Sequence, residues 1–95
     1  MRLTGKRALV TGATGEIGRA IVARLANEGA EVAAAGRDQA KLQALAADGS
    51  AAHTFTADVT DTGSCEALIA EAEAALSGLD VLVNGAGVLR AEDGD

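Results

Sequence analysis

Apolar positions along this chain alternate between two patterns. Short, nearly continuous apolar runs are separated by longer stretches in which apolar residues recur every third or fourth position. A run bounded by turn residues predicts a strand buried on both faces, whereas the wider spacing predicts an amphipathic helix. Residues 6–11, centred on Ala8-Leu9-Val10, predict the first strand. Residues 16–28 predict the first helix, with Ile17, Ala20, Ile21 and Leu25 on the buried face, Arg19, Arg24 and Glu28 toward water, and Gly29 ending it. Residues 31–35 predict a second strand, on an alanine-rich sequence of weak strand propensity. Asp38 then caps a second helix over residues 39–47, with Leu42, Leu45 and Ala46 inward and Asp48-Gly49-Ser50 closing it. Residues 52–57 predict the third strand, with Phe55 its largest apolar side chain. Asp58-Val59-Thr60-Asp61 closes that strand and caps a third helix over residues 62–76, whose stripe is Cys65, Leu68, Ile69, Ala72 and Leu76, with Gly78 terminating it. Residues 79–84 predict the fourth strand, followed by Gly85-Ala86-Gly87.

Strands alternating with helices across short connections predict βαβ units and a parallel sheet. Right-handed crossovers give an α/β fold with about four strands in the order 3-2-1-4. The first two helices then lie on one face and the third on the other, a three-layer α/β/α arrangement. Its switch point falls between strands one and four, where open α/β sheets bind ligands. Residues 1–88 form the expected domain, and the polar, acidic residues 89–95 an expected disordered tail.

Composition narrows the function. The 95 residues are enough for one small domain. Hydrophobic residues make up 48 % but aromatic residues only 1 %, so the core is built from Ala, Val, Leu and Ile, as in closely packed α/β layers. A net charge of −6 and the lack of a basic stripe argue against nucleic-acid binding. The single Cys excludes an internal disulfide and a cysteine-based zinc site. No apolar run approaches the roughly 20 residues of a membrane span, and the first residues carry no long apolar region. The expectation is a soluble cytoplasmic protein.

The chemistry concentrates in Thr11-Gly12-Ala13-Thr14-Gly15-Glu16-Ile17-Gly18, between the first strand and the first helix. Glycines let a backbone turn tightly and approach phosphates, because no Cβ stands in the way. Free N–H groups at the helix start then face the anion, assisted by the helix dipole. Strand, glycine turn and helix is thus a setting for a pyrophosphate.

With these residues in place, the chain resembles the short-chain dehydrogenases/reductases, over nearly its whole length but only over the amino-terminal half of a family member. Val10 to Gly18 resembles the family's glycine-rich turn, and Ala35-Gly36-Arg37 its cofactor-selecting strand end. Ala57-Asp58-Val59-Thr60-Asp61 resembles the adenine-contacting segment, which implies that the Asp58 carboxylate accepts from the adenine amino group. Leu82-Val83-Asn84-Gly85-Ala86-Gly87 resembles the Asn-Asn-Ala-Gly segment that supports the sheet beside the cofactor. The resemblance implies a Rossmann-like half-domain and a cofactor-binding set of Gly12, Thr14, Gly15, Glu16, Ile17, Gly18, Arg37, Asp58, Val59, Asn84, Gly85, Ala86 and Gly87. Two positions depart from the single-domain branch. Glu16 stands where that branch has Gly, with Gly15 one place earlier as in the extended branch, and Gly85 replaces the second Asn. Glu16 stabilises the empty helix through the dipole but sets a negative charge near a bound pyrophosphate.

Dehydrogenases that prefer NAD place a carboxylate at the end of the second strand, where it bonds the ribose hydroxyls and repels a 2′-phosphate. Here Gly36 stands at that place, and Arg37 follows. A guanidinium forms paired, charge-assisted bonds to phosphate, so the expected cofactor is NADP(H) over NAD(H). Asp38 is the competing acid, with helix capping its other role; Arg19 is read as a solvated surface residue.

In the family, a Tyr, a Lys and a Ser carry the hydride-transfer chemistry, and they follow the fourth strand. This chain has no Tyr, and Ser50, Ser64 and Ser77 sit in the wrong half. The expectation is a cofactor-binding half without catalytic residues. The alternative is a structural, self-associating fragment with no useful cofactor affinity. The apolar Val81-Leu82-Val83 strand and the uncovered sheet face beside the third helix predict homodimerisation or other self-association. A phosphorelay receiver would need an acidic cluster after strand one, where Thr11-Gly12 stands. His53 and Cys65 are read as structural, Glu66, Glu71 and Glu73 as a solvated helix face, and Asp58 and Asp61 as a strand end and a helix cap rather than a metal pair.

Overall fold

The computed structural model describes residues 3–57 and 62–84, without the side chains of residues 62–64. Seven elements follow one another: β1 (Arg7–Thr11), α1 (Glu16–Asn27), β2 (Glu31–Gly36), α2 (Gln39–Ala47), β3 (His53–Thr56), α3 (Thr62–Leu76) and β4 (Val81–Asn84). The strands form one sheet in the order β3-β2-β1-β4, all parallel. This is the Rossmann-like α/β half-fold that the alternating pattern predicts. The expectations that rest on Asp58, Val59, Asp61, Gly85, Ala86, Gly87 and the 89–95 tail lie outside the described residues.

Side chains alternate across a strand, and this divides the core into two. Val10, Val32 and Ala34 point to one face and pack with Val22 of α1 and with Leu42 and Leu45 of α2. Leu9, Ala33 and Ala35 point to the other and pack with Leu68, Ala72 and Leu76 of α3. The two central strands are therefore buried on both faces, as their continuous apolarity requires. Each of the larger buried side chains contributes about 1.5–3 kcal/mol.

The helix limits of α2 and α3 match the sequence reading, because each has a clear start signal or apolar stripe. The Asp38 carboxylate accepts from the Lys41 backbone N–H at 3.2 Å, so Asp38 is the α2 N-cap. Helix α1 ends at Asn27, one residue before the predicted end, with Glu28 as its C-cap and Gly29, at φ +98°, as the terminating residue expected after it. The buried face of α1 differs from the predicted one. Gly18 and Val22 are buried, Ile21 and Leu25 are half-buried, and Ile17 and Ala20 are exposed. The helix is rotated because Gly18, which has no side chain, lies against the preceding turn. Glu28 is half-buried beside Arg24, at 3.0 Å, rather than facing water. Ala46 is exposed and Cys65 half-buried. The strands start later or end differently by one or two residues than predicted, as at Arg7, Gly36, His53 and Val81.

Candidate functional site

The carboxyl ends of β1, β2 and β4 meet at the glycine turn. Gly12 leaves β1 at φ +65°, a conformation that favours glycine. The Gly15 N–H donates back to the Gly12 carbonyl at 3.3 Å, and Gly15 then caps α1 without a side-chain hydrogen bond. The first amides of α1 are thus left to solvent or to an anion. A Cβ on Gly18 would come within 2.1 Å of the Gly12 carbonyl oxygen, so this position must be glycine for α1 to start against the turn. A Cβ on Gly15 would meet only that same oxygen, at 3.7 Å, an ordinary contact. Packing demands Gly18; the bare backbone at Gly15 has no such packing reason. Glu16 and Ile17 occupy the first helical turn and are exposed, Ile17 by 43 %.

Two hydrogen bonds set the turn between the flanking strands. On the β4 side, the buried Thr11 hydroxyl donates to Asn84 Oδ1 at 3.0 Å, across the register pair Thr11–Asn84. On the β2 side, the Ala13 N–H donates to the Ala35 carbonyl at 2.9 Å. That second bond carries Thr14 over Gly36, the last residue of β2. Arg37 follows, exposed, and among the described residues its guanidinium has no partner. Asp38, the competing acid, is engaged in capping α2.

The structure therefore brings together Gly12, Thr14, Gly15, Glu16, Ile17 and Gly18 on the turn, with Asn84 on one side and Arg37 on the other. Thr11 opens the glycine-rich stretch but is not in the expected cofactor-binding set; its bond to Asn84 has as its signal a polar residue at the end of an apolar strand opposite another polar strand end. His53 lies away from this site, where β3 begins, 3.4 Å from Glu31. A shallow cleft between Leu3, Arg24, Leu25 and Glu28 sits at the other end of α1 and contains none of the candidate residues. Among the described residues no group of His, Cys, Asp and Glu could hold a metal ion, and no helix is long and apolar enough to cross a membrane.

The family model described as short chain dehydrogenase matches residues 6–94. Nodulation protein G of Rhizobium sp. (strain N33) is 45 % identical over 89 residues, which are 93 % of this chain and 36 % of that protein. A blue fluorescent protein from a metagenomic library, solved in complex with NADPH, superposes with a TM-score of 0.74 at 36 % identity, covering 86 % of this chain and 36 % of its own. The 3-ketoacyl-(acyl-carrier-protein) reductase of Brucella melitensis, complexed with NADH, gives 0.73 at 29 % identity, covering 84 % of this chain and 33 % of its own. The chain thus spans about a third of the length of the proteins it matches.

Proposed function

The chain belongs to the short chain dehydrogenase family, and on that premise we propose that it is the dinucleotide-binding part of an NAD(P)-dependent oxidoreductase, with NADP(H) preferred. The observation that carries this reading is the turn held between Thr11–Asn84 and Ala13–Ala35, with its bare backbone at Gly15 and the uncapped amides of α1. These features suit a pyrophosphate: donors are free, and no side chain at Gly12, Gly15 or Gly18 stands in the way. The preference for NADP(H) rests on Gly36 and Arg37. The first leaves the end of β2 without an acid, and the second offers for a 2′-phosphate a guanidinium that has no partner among the described residues.

When bound, the cofactor supplies or accepts a hydride at its nicotinamide ring. The residues of this chain bind and orient: backbone N–H groups at the start of α1 hold phosphate, Arg37 holds the 2′-phosphate, and Asn84 lines the opposite wall. Asp58, Val59, Gly85, Ala86 and Gly87 complete the proposed set. The chain has no Tyr, so the proton transfer that the family assigns to Tyr is proposed to come from outside these 95 residues. Calorimetric titration with NADPH, NADH and 2′-phospho-AMP tests the reading. NADPH and 2′-phospho-AMP bind and NADH binds more weakly; equal affinity for NADPH and NADH overturns the preference, and no heat with any of them overturns the binding role.

A second reading, self-association, rests on Leu82. It pairs with Leu9 and so shares the sheet face that α3 covers, yet it is 51 % exposed. A second copy covering that face is the proposed partner.

A further inference from the structure

Gly36 is a glycine for a reason that its own backbone does not supply. It is not among the positive-φ glycines, so its conformation is open to any residue. Its neighbour is what bars a side chain. A Cβ on Gly36 would lie 2.8 Å from Thr14 Cγ2, 2.9 Å from Thr14 Oγ1 and 3.3 Å from Thr14 Cβ. Thr14 has little freedom to move off. The Ala13 N–H bond to the Ala35 carbonyl ties its backbone to β2. The side chain cannot rotate clear either, because Thr carries two heavy atoms on Cβ. Each staggered rotamer leaves at least one of them over Gly36.

We infer that Thr14 is a specificity-determining residue: its branched side chain fills the space that a side chain at position 36 needs, and so keeps a carboxylate away from the end of β2. The inference rests on the proposed reading of that strand end as the adenosine-ribose site. There, an acid bonds the ribose hydroxyls and repels a 2′-phosphate. Arg37 attracts that phosphate, and Thr14 acts separately by excluding the group that would reject it. Exchanging Gly36 for an acid is therefore insufficient to convert the site to NAD(H), because Thr14 must shrink with it.

Two double-mutant cycles test this on the full 95-residue chain. In the first, Thr14→Ala and Gly36→Ala are combined and urea midpoints measured, a readout that needs no cofactor. Gly36→Ala lowers the midpoint in the Thr14 background and lowers it far less beside Thr14→Ala. In the second, Thr14→Ala and Gly36→Asp are combined and NADH is titrated. The double variant binds NADH about tenfold more tightly than Gly36→Asp alone. Gly36→Asp that fails to fold, while the double variant folds, supports the inference equally. Additive urea effects alongside measurable NADPH binding overturn the Thr14 inference alone. A coupled urea cycle with uncoupled NADH affinities overturns its role in specificity. An unmutated chain that binds neither dinucleotide overturns the cofactor reading, and the specificity role with it.

Discussion

Arg7 Nε lies 3.0 Å from Asp80 Oδ2, joining the first residue of β1 to the turn before β4 across 73 positions of sequence. The carboxylate also accepts from the Arg7 backbone N–H at 2.9 Å, and Arg7 Nη1 donates to the Ser77 carbonyl at 2.6 Å. Arg7 thus bridges the start of β1 and the α3–β4 connection.

The pair makes stability depend on pH. The side-chain hydrogen bond from Arg7, then its backbone N–H, hold the Asp80 carboxyl below the usual carboxylate range, and the Arg7 and Lys6 charges add to this. The folded chain therefore releases this proton at lower pH than the unfolded chain does. The stabilisation is full above the unfolded carboxylate value, about 3.9, and is lost as pH falls through the depressed folded value. Urea midpoints measured downward from neutral pH fall less steeply in Asp80→Asn than in the unmutated chain. Part of the slope persists, because Ser50 holds Asp48 down in the same direction. Identical slopes would refute the role of Asp80.

Gly18 and Gly15 separate packing from binding. Alanine at Gly18 gains about 1 kcal/mol of helix propensity. It also drives a Cβ into a backbone carbonyl that cannot rotate away, at 2.1 Å. The clash dominates, and Gly18→Ala loses about 2 kcal/mol or more in urea unfolding. At Gly15 the lower entropy of the unfolded alanine chain offsets the poorer cap, leaving stability within about 0.5 kcal/mol of the original. NADPH binding nevertheless weakens, because the new Cβ stands before the helix amides. Equal binding by Gly15→Ala and the unmutated chain removes the pyrophosphate from this turn.

Arg37→Ala tests the 2′-phosphate contact. Losing charge-assisted bonds to phosphate costs about 2 kcal/mol, so NADPH affinity falls about thirtyfold while NADH affinity is unchanged. The difference between the two cofactors also shrinks as salt rises. A parallel loss for both cofactors would assign Arg37 a structural role.

Glu16→Gln removes a charge that favours the empty helix and opposes the phosphates. Stability drops by about 0.3–1 kcal/mol, while NADPH affinity rises about fivefold at low salt. Stability and affinity moving together would contradict this opposition.

Leu82→Lys tests the uncovered face. Sedimentation at micromolar concentration shows the unmutated chain associating and the variant shifted to monomer. A monomeric unmutated chain discards the second-copy proposal.

Much of this architecture is legible without coordinates, because period and caps are local. Asp38, at the head of α2, announces a helix start through three residues of sequence, and the structure places its cap hydrogen bond there. The rotation of α1 is not legible. Its buried face is centred on Gly18, and a residue without a side chain leaves no mark in an apolar pattern. Thr14 over Gly36 and Arg7 beside Asp80 are equally silent, since each pair is brought together by the pairing of strands distant in sequence. The glycine turn between β1 and α1 is legible in the sequence, but the two hydrogen bonds, from Thr11 and Ala13, that fix it between β4 and β2 are not.

The strand order has a consequence in time. Strand β2 meets β1 at Arg7–Glu31, one helix away, whereas β4 meets β1 at Ala8–Val81, across almost the entire described chain. The equilibrium penalty for the longer loop is only about 1 kcal/mol, since closure entropy grows with the logarithm of length. The search is what lengthens, because distant pairings form after nearby ones have reduced the space to be explored. The β1–β4 pairing, from Arg7 beside Asp80 to Thr11 opposite Asn84, is thus the part of the sheet that weighs most on the folding rate while costing little in stability.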